Sequence, residues 1–130
     1  LIADAKVFAE NFVKNTGAPQ AAFFENRARD FIEAFFLAIA ARDGFVTAPA
    51  LLNAVHQLIM GGETWIKGFG FDLADSGFEQ CQRVEQEIAD ANQDSSGGWK
   101  GILGEVLIAC AALSDPYLLA AISPPFDISL

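Results

Sequence analysis

Residues 24–39 read Phe24-Glu25-Asn26-Arg27-Ala28-Arg29-Asp30-Phe31-Ile32-Glu33-Ala34-Phe35-Phe36-Leu37-Ala38-Ile39, and their spacing decides the fold class. Phe24, Ala28, Phe31, Ile32, Phe35, Phe36 and Ile39 recur at i, i+3 and i+4, the period of a helix with one apolar face. Pro19 suits the first turn of such a helix and Asp43-Gly44 supplies a stop, so the spacing predicts one helix of about twenty residues between them. Glu25, Arg29 and Glu33 follow at four-residue steps and are expected to pair along its outer surface.

The same reading extends to both sides. Leu1, Ala5, Phe8 and Phe12 form a stripe that predicts a first helix over 1–15, closed by Asn15-Thr16-Gly17. Thr47 as cap, Pro49 in the first turn, and Leu51, Leu52, Val55, Leu58 and Ile59 predict a third helix ending at Gly61-Gly62. From Glu63 the chain runs Thr64-Trp65-Ile66-Lys67-Gly68-Phe69-Gly70-Phe71, aromatic but broken by glycines, so a short helix and then an irregular connection to Asp75 are expected. Ser76 is expected to cap a polar surface helix with a seam of Phe78, Cys81, Val84, Ile88 and Ala91. Ser95-Ser96 opens a segment that turns Trp99, Ile102, Leu103, Val106, Leu107, Cys110 and Leu113 inward, with Gly97, Gly101 and Gly104 leaving room for a neighbouring helix. Asp115 and Pro116 start a last short helix to Ile122, and Ser123-Pro124-Pro125 ends regular structure before an extended 126–130. No segment alternates with period two, so the chain reads as one all-α domain, a compact bundle of five to seven helices with two short protruding ends.

Composition supports a packed core and narrows the partners. The 130 residues are 52% hydrophobic with mean hydropathy +0.30, enough apolar material to order the chain without disulfides or metal. No apolar run approaches the roughly 18 residues of a membrane-spanning helix. The net charge is −9, from 17 Asp and Glu against 8 Lys and Arg, and the cations are scattered along the chain from Lys6 to Lys100. Phosphate backbones need clustered cations, so nucleic acid is a poor direct partner and a basic protein surface a better one. Cys81 and Cys110 stand far apart on apolar faces and are expected to be buried free thiols. The chain opens at Leu1 inside a helical stripe, without an initiator methionine or leader, and is expected to be a piece of a longer protein.

Reactive chemistry finds little support. His56 is the single histidine, no G-x-S-x-G elbow is present, and no ligand spacing for zinc or calcium occurs. Gly97-Gly98-Trp99-Lys100-Gly101 lacks the spacing of a phosphate loop. No catalytic residue, metal or cofactor is therefore expected. A helical enzyme working through paired carboxylates would need buried acids beside an enclosed cavity. Two sets of residues are candidates for contact with a partner: the charged face Glu79, Arg83, Glu87, Asp90 and Asp94, and the aromatics Trp65, Phe69 and Phe71 of the glycine-broken segment.

The stretch Phe23-Phe24-Glu25-Asn26-Arg27-Ala28-Arg29-Asp30-Phe31 resembles the start of the all-α domain of TraG/TraD-type coupling proteins of type IV secretion systems. There an aromatic precedes a few polar residues, then Ala-Arg-Asp and an apolar helix. Ser95-Ser96-Gly97-Gly98-Trp99-Lys100, then Leu113-Ser114-Asp115-Pro116, then Pro125-Phe126-Asp127 resemble the family's closing section in the same order, while residues 45–94 are less specific. The resemblance implies an insertion domain excised from a membrane-anchored hexameric ATPase. It places that parent on the cytoplasmic face of the bacterial inner membrane, with no membrane contact by this domain. By the same resemblance the domain receives a relaxase with its attached DNA strand, or effector proteins, for conjugation or export, any contact with single-stranded DNA being indirect. The residues alone also allow a free-standing acidic adaptor or chaperone that holds a basic client on the helix over 79–94.

Overall fold

The computed structural model describes residues 1–13, 16–18, 21–91 and 98–111. Among them the chain forms seven helices and no strand: α1 (Ile2–Phe12), α2 (Ala22–Asp43), α3 (Ala48–Met60), α4 (Gly62–Lys67), α5 (Phe69–Asp75), α6 (Glu79–Ala91) and α7 (Gly98–Ala111). This is an all-α bundle, and no described helix is long and apolar enough to cross a membrane.

α2 is the axis of the bundle. Between Phe31 and Ala40 every residue except Glu33 is buried, because α1, α3, α5, α6 and α7 all pack against this helix. A helix apolar nearly all round has no solvent face and must be surrounded. Phe36 meets Phe8 of α1 at 5.0 Å between ring centroids, Phe31 meets Trp99 of α7 at 5.9 Å, and Phe35 meets Phe69 of α5 at 4.9 Å. Gly44, at φ 83°, takes the left-handed conformation that ends the helix and donates its N–H to the Ala40 carbonyl.

The expected outer row of Glu25, Arg29 and Glu33 does not form. Four-residue steps drift by roughly 40° each on a helix of 3.6 residues per turn, so the three side chains leave a common face. Glu25 falls on the inward stripe, is fully buried, and accepts the Thr16 backbone N–H at 3.0 Å. Arg29 turns to the end of α1 and donates to the Val13 carbonyl at 2.9 Å.

Past α2, the Thr47 hydroxyl caps α3 by accepting the Ala50 N–H. Ala48, Leu51, Ala54, Val55 and Leu58 form its buried stripe, whereas Leu52 and Ile59, expected inward, are exposed. The irregular connection expected before Asp75 is instead α5. Gln57 of α3 explains it: its Oε1 accepts the Phe69 N–H at 2.7 Å, satisfying a donor at the start of α5, while Phe69 and Leu73 bury against α2. Ser76 caps the end of α5 rather than the start of α6, its hydroxyl donating to the Leu73 carbonyl and accepting the Phe78 N–H.

α6 lies on the surface with Cys81, Val84 and Ile88 buried, as its narrow seam predicts. In α7 the residues Ile102, Val106, Ala109 and Cys110 are buried and Leu107 is exposed, contrary to expectation. Cys81 and Cys110 are buried free thiols; burial pushes the Cys110 thiol up to about 11 and raises that of Cys81, which donates to the Ala34 carbonyl. Gly101 and Gly104 of α7 differ. A Cβ at Gly101 would stand 2.8 Å from the Phe24 ring, whereas one at Gly104 meets nothing within 4 Å. Gly104→Ala is expected to raise the unfolding free energy by about 0.5–1 kcal/mol through helix propensity, and Gly101→Ala to gain less because the ring must move. Paired urea titrations measure both.

The stop at Asn15, the start at Pro19, the Ser95-Ser96 opening, Gly97, Leu113, the helix from Ser114 to Ile122 and the 126–130 end lie outside the described residues.

Candidate functional site

α1 and α6 flank the first half of α2 and leave its outward strip as the floor of a trough. Between α2 and α6 lies a cleft of about 440 Å³ lined by Arg27, Asp30, Glu33, Gln80, Arg83, Val84 and Glu87. A second, of about 380 Å³, is lined by Ile2, Lys6, Ala9, Glu10, Asn26, Arg29, Asp30, Glu33 and Gln80. Asp30, Glu33 and Gln80 line both, so the two clefts adjoin along the outer side of α2. The lining gathers four cations, Lys6, Arg27, Arg29 and Arg83, among the 8 basic residues of the chain. The scatter read along the sequence thus becomes a cluster in space, interleaved with Glu10, Asp30, Glu33 and Glu87.

Arg27 ties the trough together. It reaches Asp30 at 2.9 Å within α2 and Glu87 of α6 at 2.7 Å, while its Nε is buried without a hydrogen-bond partner. Half-buried guanidinium pairs of this kind hold geometry more than they add stability. Glu33 accepts a hydrogen bond from Gln80 at 3.0 Å. Burial raises the Glu33 carboxyl above its ordinary range, the charge of Asp30 adds to that, and Lys6 opposes it.

A carboxyl raised in the folded state binds its proton more tightly there than in the unfolded chain. Its stabilising contribution is present below the unfolded value and is lost as pH rises through the folded one. Glu33→Gln is therefore expected to stabilise at pH 7, by no more than about 0.5 kcal/mol at so exposed a site. That advantage should vanish as pH falls through the carboxylate range, which denaturant titrations at pH 7 and pH 3.5 compare.

Of the charged face expected on α6, Glu87 and Arg83 line the trough, and exposed Glu79 and Asp90 stand on the outer ridge, where Asp90 accepts from Gln86. Asp94 lies outside the described residues. The aromatic set separates. Trp65 and Phe69 are buried in the core against Phe35, and Phe71 alone is on the surface, 58% exposed. The polar trough members missed by sequence reasoning are Lys6, Glu10, Asn26, Arg27, Arg29, Asp30, Glu33 and Gln80. Their signal was the interruption of α2 burial at Asp30 and Glu33, meaningful only once the flanking helices are known. His56 is exposed on α3.

Comparison with known proteins yields no match: no family model, no curated protein and no solved structure is significantly similar to the chain.

Proposed function

We propose that this domain receives protein cargo in the manner of the all-α domain of type IV secretion coupling proteins. In this reading it docks a relaxase with its DNA strand, or an effector protein, on the α1–α2–α6 trough. The parent would be a hexameric ATPase anchored in the bacterial inner membrane, with the domain on its cytoplasmic side.

One observation carries the reading: the two stretches that resemble the family, about 70 residues apart, pack against each other. The Phe24 ring lies against Gly101 and the Phe31 ring stands 5.9 Å from Trp99. Of the polar members of the first stretch, Asn26, Arg27, Arg29 and Asp30 line the trough on the outer side of the same helix, while Glu25 is buried. One segment thus anchors the fold through its aromatics and offers charge outward through the residues between them.

The test is capture of relaxases and effectors encoded near the gene, at low and high salt. Salt-sensitive capture is expected, since charged rims act through screened fields. Absence of capture at both salts, with no phosphate loop encoded upstream of the chain, removes the proposal. A basic-client adaptor is the second reading, favoured by the exposed Glu79 and Asp90 on the α6 ridge. Reversing those two charges without loss of a basic client would exclude it.

A further inference from the structure

We propose that the outer face of α7, formed by Leu107, Ile108 and Ala111, is the seat of the chain's own segment 116–122, which packs back over it. The proposal is independent of what the trough binds.

The exposed residues of α7 are of the wrong kind for a solvent face. They are Lys100, Leu107, Ile108 and Ala111, with Leu107 47% and Ile108 68% exposed. From Val106 to Ala111 every residue is apolar, whichever side it faces: Val106, Ala109 and Cys110 are buried, and Leu107, Ile108 and Ala111 point outward. A helix end that is apolar all round is covered on every side in a packed protein. α6 shows what a solvent face looks like in this chain, since its exposed residues are Glu79, Gln82, Arg83, Gln86 and Asp90, all polar.

The place and composition of the following chain select the occupant. Residues 112–130 continue directly from the end of α7. Ala112-Leu113-Ser114-Asp115 has the length of a connection between antiparallel helices, and Pro116 suits the first position of the short helix that the sequence predicts next. Pro116-Tyr117-Leu118-Leu119-Ala120-Ala121-Ile122 holds no charged residue, and Leu118, Ala121 and Ile122 recur at i, i+3 and i+4. Two helical turns, about 10 Å long, would run back over Ala111, Ile108 and Leu107 in that order. A segment on so short a tether has an effective concentration on the order of millimolar, which favours it over a second copy or a separate helix. Leu107, which the periodicity of the segment turns inward, then becomes interior as well.

NMR of the methyl-labelled 130-residue chain tests this. Cross-peaks between the methyls of Leu107 or Ile108 and those of Leu118 or Ile122 are expected. A sample mixing labelled and unlabelled copies separates contacts within one molecule from contacts between two. Ile108→Lys puts a charge on the face and should speed amide hydrogen exchange across 116–122 by about tenfold or more. Ile66→Lys is the control: Ile66 is 66% exposed on α4, and its substitution should leave that exchange within about twofold. Contacts within one molecule, released by Ile108→Lys alone, uphold the inference. Absence of cross-peaks from 116–122 to α7, contacts that arise only between copies, or equal effects of the two substitutions overturns it.

Discussion

Phe35→Ala is expected to lower the unfolding free energy by about 3–5 kcal/mol. Phe35 is fully buried in the middle of α2. Its ring packs edge-on against Phe69 at 4.9 Å and tilted against Trp65 at 5.8 Å, and those two rings stand 5.9 Å apart. The trio joins three helices, so removing one ring leaves a cavity that cannot close unless α4 and α5 shift in toward α2. Urea denaturation gives the magnitude, and Phe71→Ala is the control. Phe71 is 58% exposed, and its truncation should stay within about 0.5 kcal/mol. Similar losses for both variants would refute the assignment of Phe35 to a rigid aromatic centre.

Gly68→Ala is the second large effect, about 2–4 kcal/mol. Gly68 has φ −103° and separates α4 from α5, so its requirement is for space, not for a left-handed backbone. A Cβ there would fall 2.5 Å from the Thr64 carbonyl oxygen and nearer still to the Gln57 side-chain oxygen. Backbone cannot yield cheaply, and if Gln57 yields, the Phe69 N–H loses its acceptor. Gln57→Ala removes the acceptor alone and should cost about 0.5–1.5 kcal/mol. If the glycine substitution costs no more than the glutamine one, the clash is relieved elsewhere and the close approach is not a constraint. Hydrogen exchange at the Phe69 amide reports the same event locally.

Features set by near neighbours in the chain were legible in the sequence. The inward stripe of α2 and the seam Cys81, Val84 and Ile88 of α6 belong to this group, because helical periodicity repeats within one or two turns. α5 does not, because its glycines argue against a helix and the glutamine that satisfies its first turn comes from α3. Trp65 and Phe69 looked like surface aromatics for the same reason: α2 covers them, and nothing adjacent in the chain shows it.

The trough marks the boundary most sharply. Lys6, Arg27 and Arg83 belong to three helices and are brought together by α1 and α6 packing on the two flanks of α2. Local sequence by itself determined that this is a helical protein and that the stripe Ala28, Phe31, Ile32, Phe35, Phe36 and Ile39 of its central helix is buried, since both depend on propensity and on a 3.6-residue period. Only the tertiary structure decided which charges meet, which are neutralised and which remain free. Those depend on the azimuth at which each helix docks, and that angle is set by side chains distant in the chain.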